Sequence, residues 1–255
     1  MVGGDYPCAR RIREPVSYRS SSQKAKAMLR AILFDFNGVI SDDEHLHFAA
    51  FKAVLECEGV KISEQDYETH FLGKDDRDCF REALKMECLP LNGERLETLI
   101  QRKSEVYLRL VDTGLRVFPG VVSFIHEAYC TCALAIASGA LRREIEFVLA
   151  RTDLKRFFSC IVTQEDVMRG KPDPEIFLTT LAVLNRQNHR ESSIVPEECL
   201  VVEDSRPGVE AALTAGMHCL AVTNSFSAEK LSAAHKVLPS LEIPPEELKR
   251  WIQHW

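Results

Sequence analysis

The chain has 255 residues, 45% hydrophobic and 27% charged, an ordinary balance for a folded protein of one large domain or two modest ones. A formal net charge of −6 leaves no basic excess to neutralise phosphates, which excludes a nucleic-acid-binding protein but leaves room for a local pocket holding a small anion. No apolar run approaches the roughly 18 residues of a membrane span, and nine cysteines without a CxxC pair read as buried thiols of a reducing, cytoplasmic setting.

Residues 1–29 are rich in Arg, Lys and Ser and lack both a sustained apolar face and the apolar centre of a secretory signal. They read as a disordered extension. "RAILFDF" (30–36) is a continuous apolar run stopped by a Gly turn, the pattern of a buried strand. Helical spacing follows in "EHLHFAAFKAVLECEG", with Phe51, Val54 and Leu55 on one face. "SEQDYETHFLG" opens with Ser63 and Asp66, a capping-box-like start. Further helices are predicted from Asp75 to Met86 and over about Gly93 to Val111. Phe118-Pro119-Gly120 reads as the turn that ends this helical block.

Beyond Phe118 helices and strands alternate. "CALAIASG", "FSCIVTQED", "CLVVEDS" and "HCLAVTN" are strand-like. "GVVSFIHEAYC", "LRREIEFVLART", "PEIFLTTLAVLNR" and "PGVEAALTAGM" are helix-like. Such alternation predicts an α/β fold: a parallel sheet with helices on both faces. Residues 30–44 and 117–255 are expected to form that core, and residues 45–116 an inserted all-helical cap.

Ligands of an open parallel sheet bind beyond the carboxyl ends of its strands. The polar residues there are Asp35, Ser138-Gly139, the Lys171 of "GKPDP", and Glu203-Asp204-Ser205. Clustered carboxylates in a cleft repel one another unless a cation offsets them, and hard oxygen donors suit Mg²⁺. Lys171 can neutralise phosphoryl oxygens, and Ser138 with backbone N–H groups can bind another. Asp35 would then be free to attack phosphorus.

Four motifs in order, "DFNGVI" (35–40), "ASG" (137–139), "GKPDPEIF" (170–177) and "VVEDSRPGVEAA" (201–212), resemble the haloacid dehalogenase superfamily. The resemblance covers about residues 30–240 and is to the branch with a helical cap after the first strand, which includes β-phosphoglucomutase-like and phosphoglycolate-phosphatase-like hydrolases. It implies a Rossmann-like core and phosphoryl transfer through an aspartyl phosphate. Asp35 would be nucleophile and Mg²⁺ ligand, and Asn37 would offer its backbone carbonyl to the metal. Ser138, Gly139 and Lys171 would bind phosphate. Asp204 would ligate Mg²⁺, with Glu203 a ligand or its partner. On the cap, Gly73, Lys74, Asp76 and Arg77 match a specificity loop, and His47 and Lys103 align with residues that face the site. The expected partner is a small phosphorylated metabolite, with no nucleic acid and no membrane, and the chain a monomer or homodimer.

Asn37 departs from the resemblance, because the family's phosphatases and mutases carry Asp there. Asn keeps its backbone carbonyl but cannot shuttle a proton, a role that typically contributes about 10²–10⁴-fold. His47 and Asp43 are the candidate substitutes. The alternatives are a pseudoenzyme that binds a phosphorylated ligand without efficient turnover, a sugar-phosphate mutase, or a phosphonatase. The last would need a Schiff-base lysine, for which Lys52 is the nearest candidate.

Overall fold

A computed structural model describes residues 28–187 and 192–255. Its centre is a parallel sheet of six strands in the order β3-β2-β1-β4-β5-β6. The strands are β1 (Ala31–Phe34), β2 (Ala133–Ser138), β3 (Cys160–Thr163), β4 (Cys199–Glu203), β5 (His218–Val222) and β6 (Lys236–Leu238). The register places Ala31 beside both Ala133 and Cys199, so β1 lies between β2 and β4.

The unbroken apolar run of β1 follows from burial on both faces. Side chains alternate across a strand: Ile32 and Phe34 enter one core cluster, Ala31 and Leu33 the other. The first cluster includes residues of α5 (Val121–Tyr129), α6 (Arg142–Thr152) and α9 (Pro245–His254). The second includes residues of α7 (Glu175–Gln187) and α8 (Arg206–Thr214). Cys160, Cys199 and Cys219 pack there as free, buried thiols.

Between β1 and α5 the chain forms four helices: α1 (Glu44–Cys57), α2 (Glu64–His70), α3 (Asp76–Met86) and α4 (Gly93–Gly114). They bury a cluster of their own around Phe51, Tyr67, Phe71, Phe80 and Leu99. The Phe51 ring packs tilted against Phe80, centroids 4.7 Å apart, and edge-on against Phe71 at 5.2 Å, and truncating so central a ring costs about 3–5 kcal/mol. Ser63 caps α2 with Asp66 in a reciprocal box, and Asp75 and Asn92 cap α3 and α4. The chain leaves and rejoins the sheet region side by side. Phe118 N–H donates to Ile40 O at 3.1 Å and Asp42 N–H to Arg116 O at 3.0 Å.

Gly120 makes the return turn at φ +81°, and a Cβ there would lie 2.3 Å from the Leu241 backbone. The strip β6 and the helix α9 extend the fold beyond the fifth predicted strand. The predicted extension over 1–29 lies outside the described residues except for Met28 and Leu29. Leu29 is buried and donates its N–H to Ile252 O at 2.9 Å, tying this end to α9.

Candidate active site

Asp35 follows the last residue of β1, and its N–H continues the ladder to Val202 O at 2.9 Å. Its carboxylate meets Lys171, which arrives from the turn before α7. Lys171 Nζ lies 2.8 Å from Asp35 Oδ1 and 2.6 Å from Glu203 Oε1. The other oxygen of Glu203 accepts from Asp204 N–H, Ser205 N–H and the Ser205 hydroxyl at 2.9–3.0 Å. Glu203 is thus fully committed to holding Lys171 and the turn after β4. This packing leaves no room for a side chain at 208, where a Cβ would fall 1.9 Å from the Glu203 carboxylate.

Asp204 is buried beside this pair and accepts from the Ser225 hydroxyl. Gly38, at φ +75°, presses so closely that a Cβ there would lie 1.8 Å from Asp204 Oδ2. The Asn224 amide donates to Gly38 O at 2.7 Å and locks that turn. Burial pushes Asp35 up to about 6 against the pull of Lys171. Burial, then Glu203 and Asp35, raise Asp204 well above the carboxylate range. Burial alone would lower Lys171, but Asp35 and Glu203 overcome it and keep the ammonium charged.

Ser138, at the end of β2, is buried and accepts from Ala140 N–H at 3.2 Å. It does not cap α6, whose N-cap is Leu141. Ser138 and Gly139 line the same pocket as Asp35, Lys171 and Asp204.

Asn37 joins the sheet edge to the helices. Its amide nitrogen lies 3.0 Å from Asp43 Oδ1 and 2.9 Å from His47 Nε2. Asp43 is fully buried and also accepts from Ser41 Oγ at 2.6 Å and from the Tyr107 hydroxyl. It is not on the pocket wall; His47 is. Burial and the neighbouring Lys103 lower His47 well below its usual range, so the imidazole is neutral.

The far wall comes from the helices. Lys103, 2% exposed, is 3.0 Å from Asp76, 3.7 Å from Glu144 of α6 and 2.7 Å from His47 Nδ1. Gly73, at φ +81°, brings its loop against Ser205 and Phe226. Lys74 lines the pocket and is paired with Glu82. Arg77 does not line it. Its guanidinium donates to Gln164 O at 3.0 Å, a bond from the helices to the turn after β3. Lys52 also lies off the pocket, near the Phe48 ring at 5.8 Å.

The haloacid dehalogenase-like hydrolase profile matches residues 32–222. The chain belongs to the haloacid dehalogenase-like hydrolases. A phosphorylated carbohydrates phosphatase of Thermotoga maritima is 35% identical over 192 residues, 74% of this chain and 82% of that protein. β-Phosphoglucomutase of Bacillus subtilis is 28% identical over 76% of this chain and 83% of its own. Among solved structures, a putative β-phosphoglucomutase of Thermotoga maritima superposes with a TM-score of 0.60 at 30% identity, covering 88% of this chain and 98% of that one.

In this haloacid dehalogenase-like hydrolase, oxygens of Asp35, Glu203 and Asp204 lie within 4.8 Å of one another. One ammonium, Lys171, is shared by Asp35 and Glu203, while Asp204 sits buried among like charges. Hard oxygen donors under such repulsion fit a divalent cation of the Mg²⁺ type. Asp35 and Asp204 are the carboxylates of this group that could serve as donors. Glu203, with both oxygens taken, is better placed to hold the lysine.

Glu44, Asp75, Gln164 and Ser225 are among the pocket residues that the motifs do not mark. Ser225 and Gln164 follow β5 and β3, so the rule that ligands gather at strand ends, extended to every strand, would find both. Glu44 opens α1 and accepts from Tyr67 Oη at 2.7 Å. Burial raises it to about 7. Nothing in its spacing marks it. Gln164 is 2% exposed, yet its amide oxygen and nitrogen have no partner. Among the described residues no helix is long and apolar enough to cross a membrane.

Proposed function

We propose that the protein hydrolyses a small phosphorylated metabolite through an aspartyl phosphate on Asp35. The observation that carries this reading is the convergence of Asp35, Lys171 and Asp204 at the ends of neighbouring strands, with Glu203 fixing the lysine. Asp35 attacks phosphorus, and the bond to the leaving oxygen breaks. Water then attacks the acyl phosphate and frees Asp35 and inorganic phosphate. Lys171, Ser138 and the Gly139 N–H hold the phosphoryl oxygens. Asp35, Asp204 and the Asn37 carbonyl would hold Mg²⁺, which offsets phosphoryl charge when bound.

Asn37 cannot carry the proton that the leaving oxygen needs. Asp43 is walled off from the pocket, and His47 is held neutral by burial and by Lys103, which takes its Nδ1 lone pair. Glu44 lines the pocket and, held at about 7, is half protonated near neutrality. We assign it the proton. The helical insertion over 45–116 acts as the cap over a core of 30–44 and 117–255, and buried free thiols fit a reducing, cytoplasmic compartment.

Phosphate release over a panel of esters with Mg²⁺ tests the reading, with Asp35→Ala as control. Turnover should be abolished in the control. A wild-type rate no higher than the control on every ester sinks the reading and favours the second one, ligand binding without turnover, for which Asn37 is the supporting observation.

A further inference from the structure

One residue of the core is buried among the helices of the insertion. The insertion's apolar cluster is drawn from residues 48–106 with a single exception among the described residues, Leu141. Leu141 is 6% exposed and follows Ser138 closely, on the turn that leads from β2 into α6. It is also the N-cap of α6, a position that favours Ser, Thr, Asp or Asn, whose side chains accept from the first free N–H groups of a helix. Leu141 makes no such bond. The task falls to a distant carboxylate: Glu165 Oε2 accepts from Arg142 N–H at 2.7 Å. The sequence breaks a local rule here, and what it gains is an apolar side chain seated in the insertion.

The residues that follow extend the same contact. Arg143 donates from Nε to Ser104 Oγ at 2.6 Å and from Nη2 to Gln101 O at 3.0 Å. Glu144 faces the Lys103 ammonium at 3.7 Å, and both groups are buried. Further along both helices, Arg151 meets Asp112. The pairs Arg143–Ser104 and Arg151–Asp112 keep the same separation of 39 residues. The helices α4 and α6 therefore run side by side in the same direction for about two turns. Residues 138–144 thus do two things. Ser138 and Gly139 line the pocket, while Leu141, Arg143 and Glu144 grip the insertion. Only Ala140 separates the two groups, and its N–H is bonded to Ser138 Oγ at 3.2 Å. An insertion that swings away must draw Leu141 out of its cluster or carry the turn with it.

We propose that Leu141 is a positioning residue that couples the phosphate-holding turn to the helical insertion. A phosphoryl group on Ser138 and Gly139 fixes the turn, the turn presents Leu141, and the insertion seats on it. Arg143 and Glu144 set the register of that seat on α4. Coupling of this kind is reciprocal, so an insertion seated on Leu141 also holds Ser138 in place for the phosphoryl group. This coupling rests on the phosphatase reading, in which Ser138 and Gly139 hold the phosphoryl oxygens, but it is separate from the chemistry at Asp35. Leu141, Arg143 and Glu144 do not line the pocket and touch no reacting atom.

Hydrogen exchange of the full chain in Mg²⁺, with and without inorganic phosphate, tests it. In the wild-type protein phosphate should slow amide exchange in α3 and α4 about 10-fold or more. Leu141→Ser gives α6 an ordinary N-cap and removes the apolar contact. The variant should still bind phosphate, and wild-type exchange in β1 and β4 shows that it is folded. Phosphate should no longer slow exchange in its α3 and α4. Its kcat on an ester that the wild type hydrolyses should fall about 10-fold or more, with a smaller change in KM. Leu141→Met, apolar and of similar volume, should restore both readouts. Arg143→Ala leaves Leu141 in place and should weaken the phosphate response without abolishing it. A Leu141 that only packs would cost stability alone. A folded Leu141→Ser protein that keeps the phosphate response or the wild-type kcat therefore overturns the proposal, as does a wild-type protein whose α3 and α4 do not respond to phosphate. If Leu141→Ser does not fold, an undiminished response in Arg143→Ala overturns it. A phosphate response that depends on Leu141, in a protein that hydrolyses no ester, would retain the coupling and remove the hydrolysis reading. Turnover without that response would do the opposite.

Discussion

Asn37 and Asp43 are joined side chain to side chain, amide nitrogen to carboxylate oxygen at 3.0 Å. The donor stands where an acid would be expected, and the acid stands six residues on, buried behind it. The pair also shapes His47. The Lys103 ammonium, 2.7 Å from Nδ1, claims the lone pair there and leaves the imidazole proton on Nε2. That proton faces the Asn37 nitrogen, itself a donor.

Exchanging the two residues should relieve this conflict. Asn37→Asp alone places a carboxylate against Asp43, removes a donor from a buried acceptor, and should cost about 1–3 kcal/mol of stability. It adds a second proton carrier beside Glu44, so combining it with Glu44→Gln should recover about 10²-fold of the turnover that Glu44→Gln alone loses. The double change Asn37→Asp with Asp43→Asn lets Asp accept from both His47 and the new amide. Urea denaturation should show most of the stability restored, a strong coupling in the double-mutant cycle. Additive losses would contradict the pairing of Asn37 with Asp43.

Glu44 can be separated from Asn37 by leaving-group dependence. Glu44→Gln keeps the hydrogen bond from Tyr67 but cannot release a proton. Its kcat should fall about 10²-fold or more for alkyl phosphates. For p-nitrophenyl phosphate, whose leaving group needs no proton, it should change several-fold at most. Equal losses on both substrates would leave Glu44 a structural role only.

Gly208 is a steric reporter of the lysine's anchor. A Cβ at this position lies 1.9 Å from the Glu203 carboxylate, so Gly208→Ala must push Glu203 away from Lys171. Overpacking of this kind costs about 1–3 kcal/mol. Activity should fall much further than stability explains, and most of the fall should appear in kcat. A variant with normal kcat would show that the contact between Glu203 and Lys171 does not position the lysine for the reaction.

Glu144 predicts a pH dependence of stability. Burial raises its carboxyl from an ordinary 4.5 to about 7, with Lys103 pulling the other way. The folded state thus binds this proton more tightly than the unfolded chain does. The resulting stabilisation is fully present below pH 4.5 and is lost as pH rises through about 7. Its slope is at most about 1.4 kcal/mol per pH unit. Denaturation of wild type and Glu144→Gln at pH 5, 6, 7 and 8 should show a flatter curve for the variant between 5 and 7. Parallel curves would rule the effect out.

Much of this molecule can be read from its sequence because the relevant signals are local. The run before Asp35, the polar residues after β2 and β4, and the Lys171 loop each declare themselves within a few residues. Ser63 with Asp66 shows how far local chemistry reaches, since its capping box forms as expected. Contacts between distant segments do not declare themselves. Arg77 looks like a substrate contact by position, but the Gln164 carbonyl lies 87 residues away in sequence and captures it. Gln164 itself is an unremarkable polar residue until the helices close over it. The strand β6 has three half-buried residues at the sheet edge, too few to establish a period of two. The helix α9 did carry a signal: prolines and acids at its start, then Leu248, Trp251 and Ile252 at helical spacing.

The register that sets β1 between β2 and β4 also governs when this protein becomes competent during its own synthesis. Ala31 pairs with Ala133 on one side and with Cys199 on the other. Asp35 is made early, but Lys171, Glu203 and Asp204 are made more than a hundred residues later. Contacts so distant along the chain close slowly. A nascent chain therefore carries Asp35 on the ribosome without Lys171, Glu203 and Asp204, and the cluster of carboxylates and lysine is complete only once the fourth strand has docked.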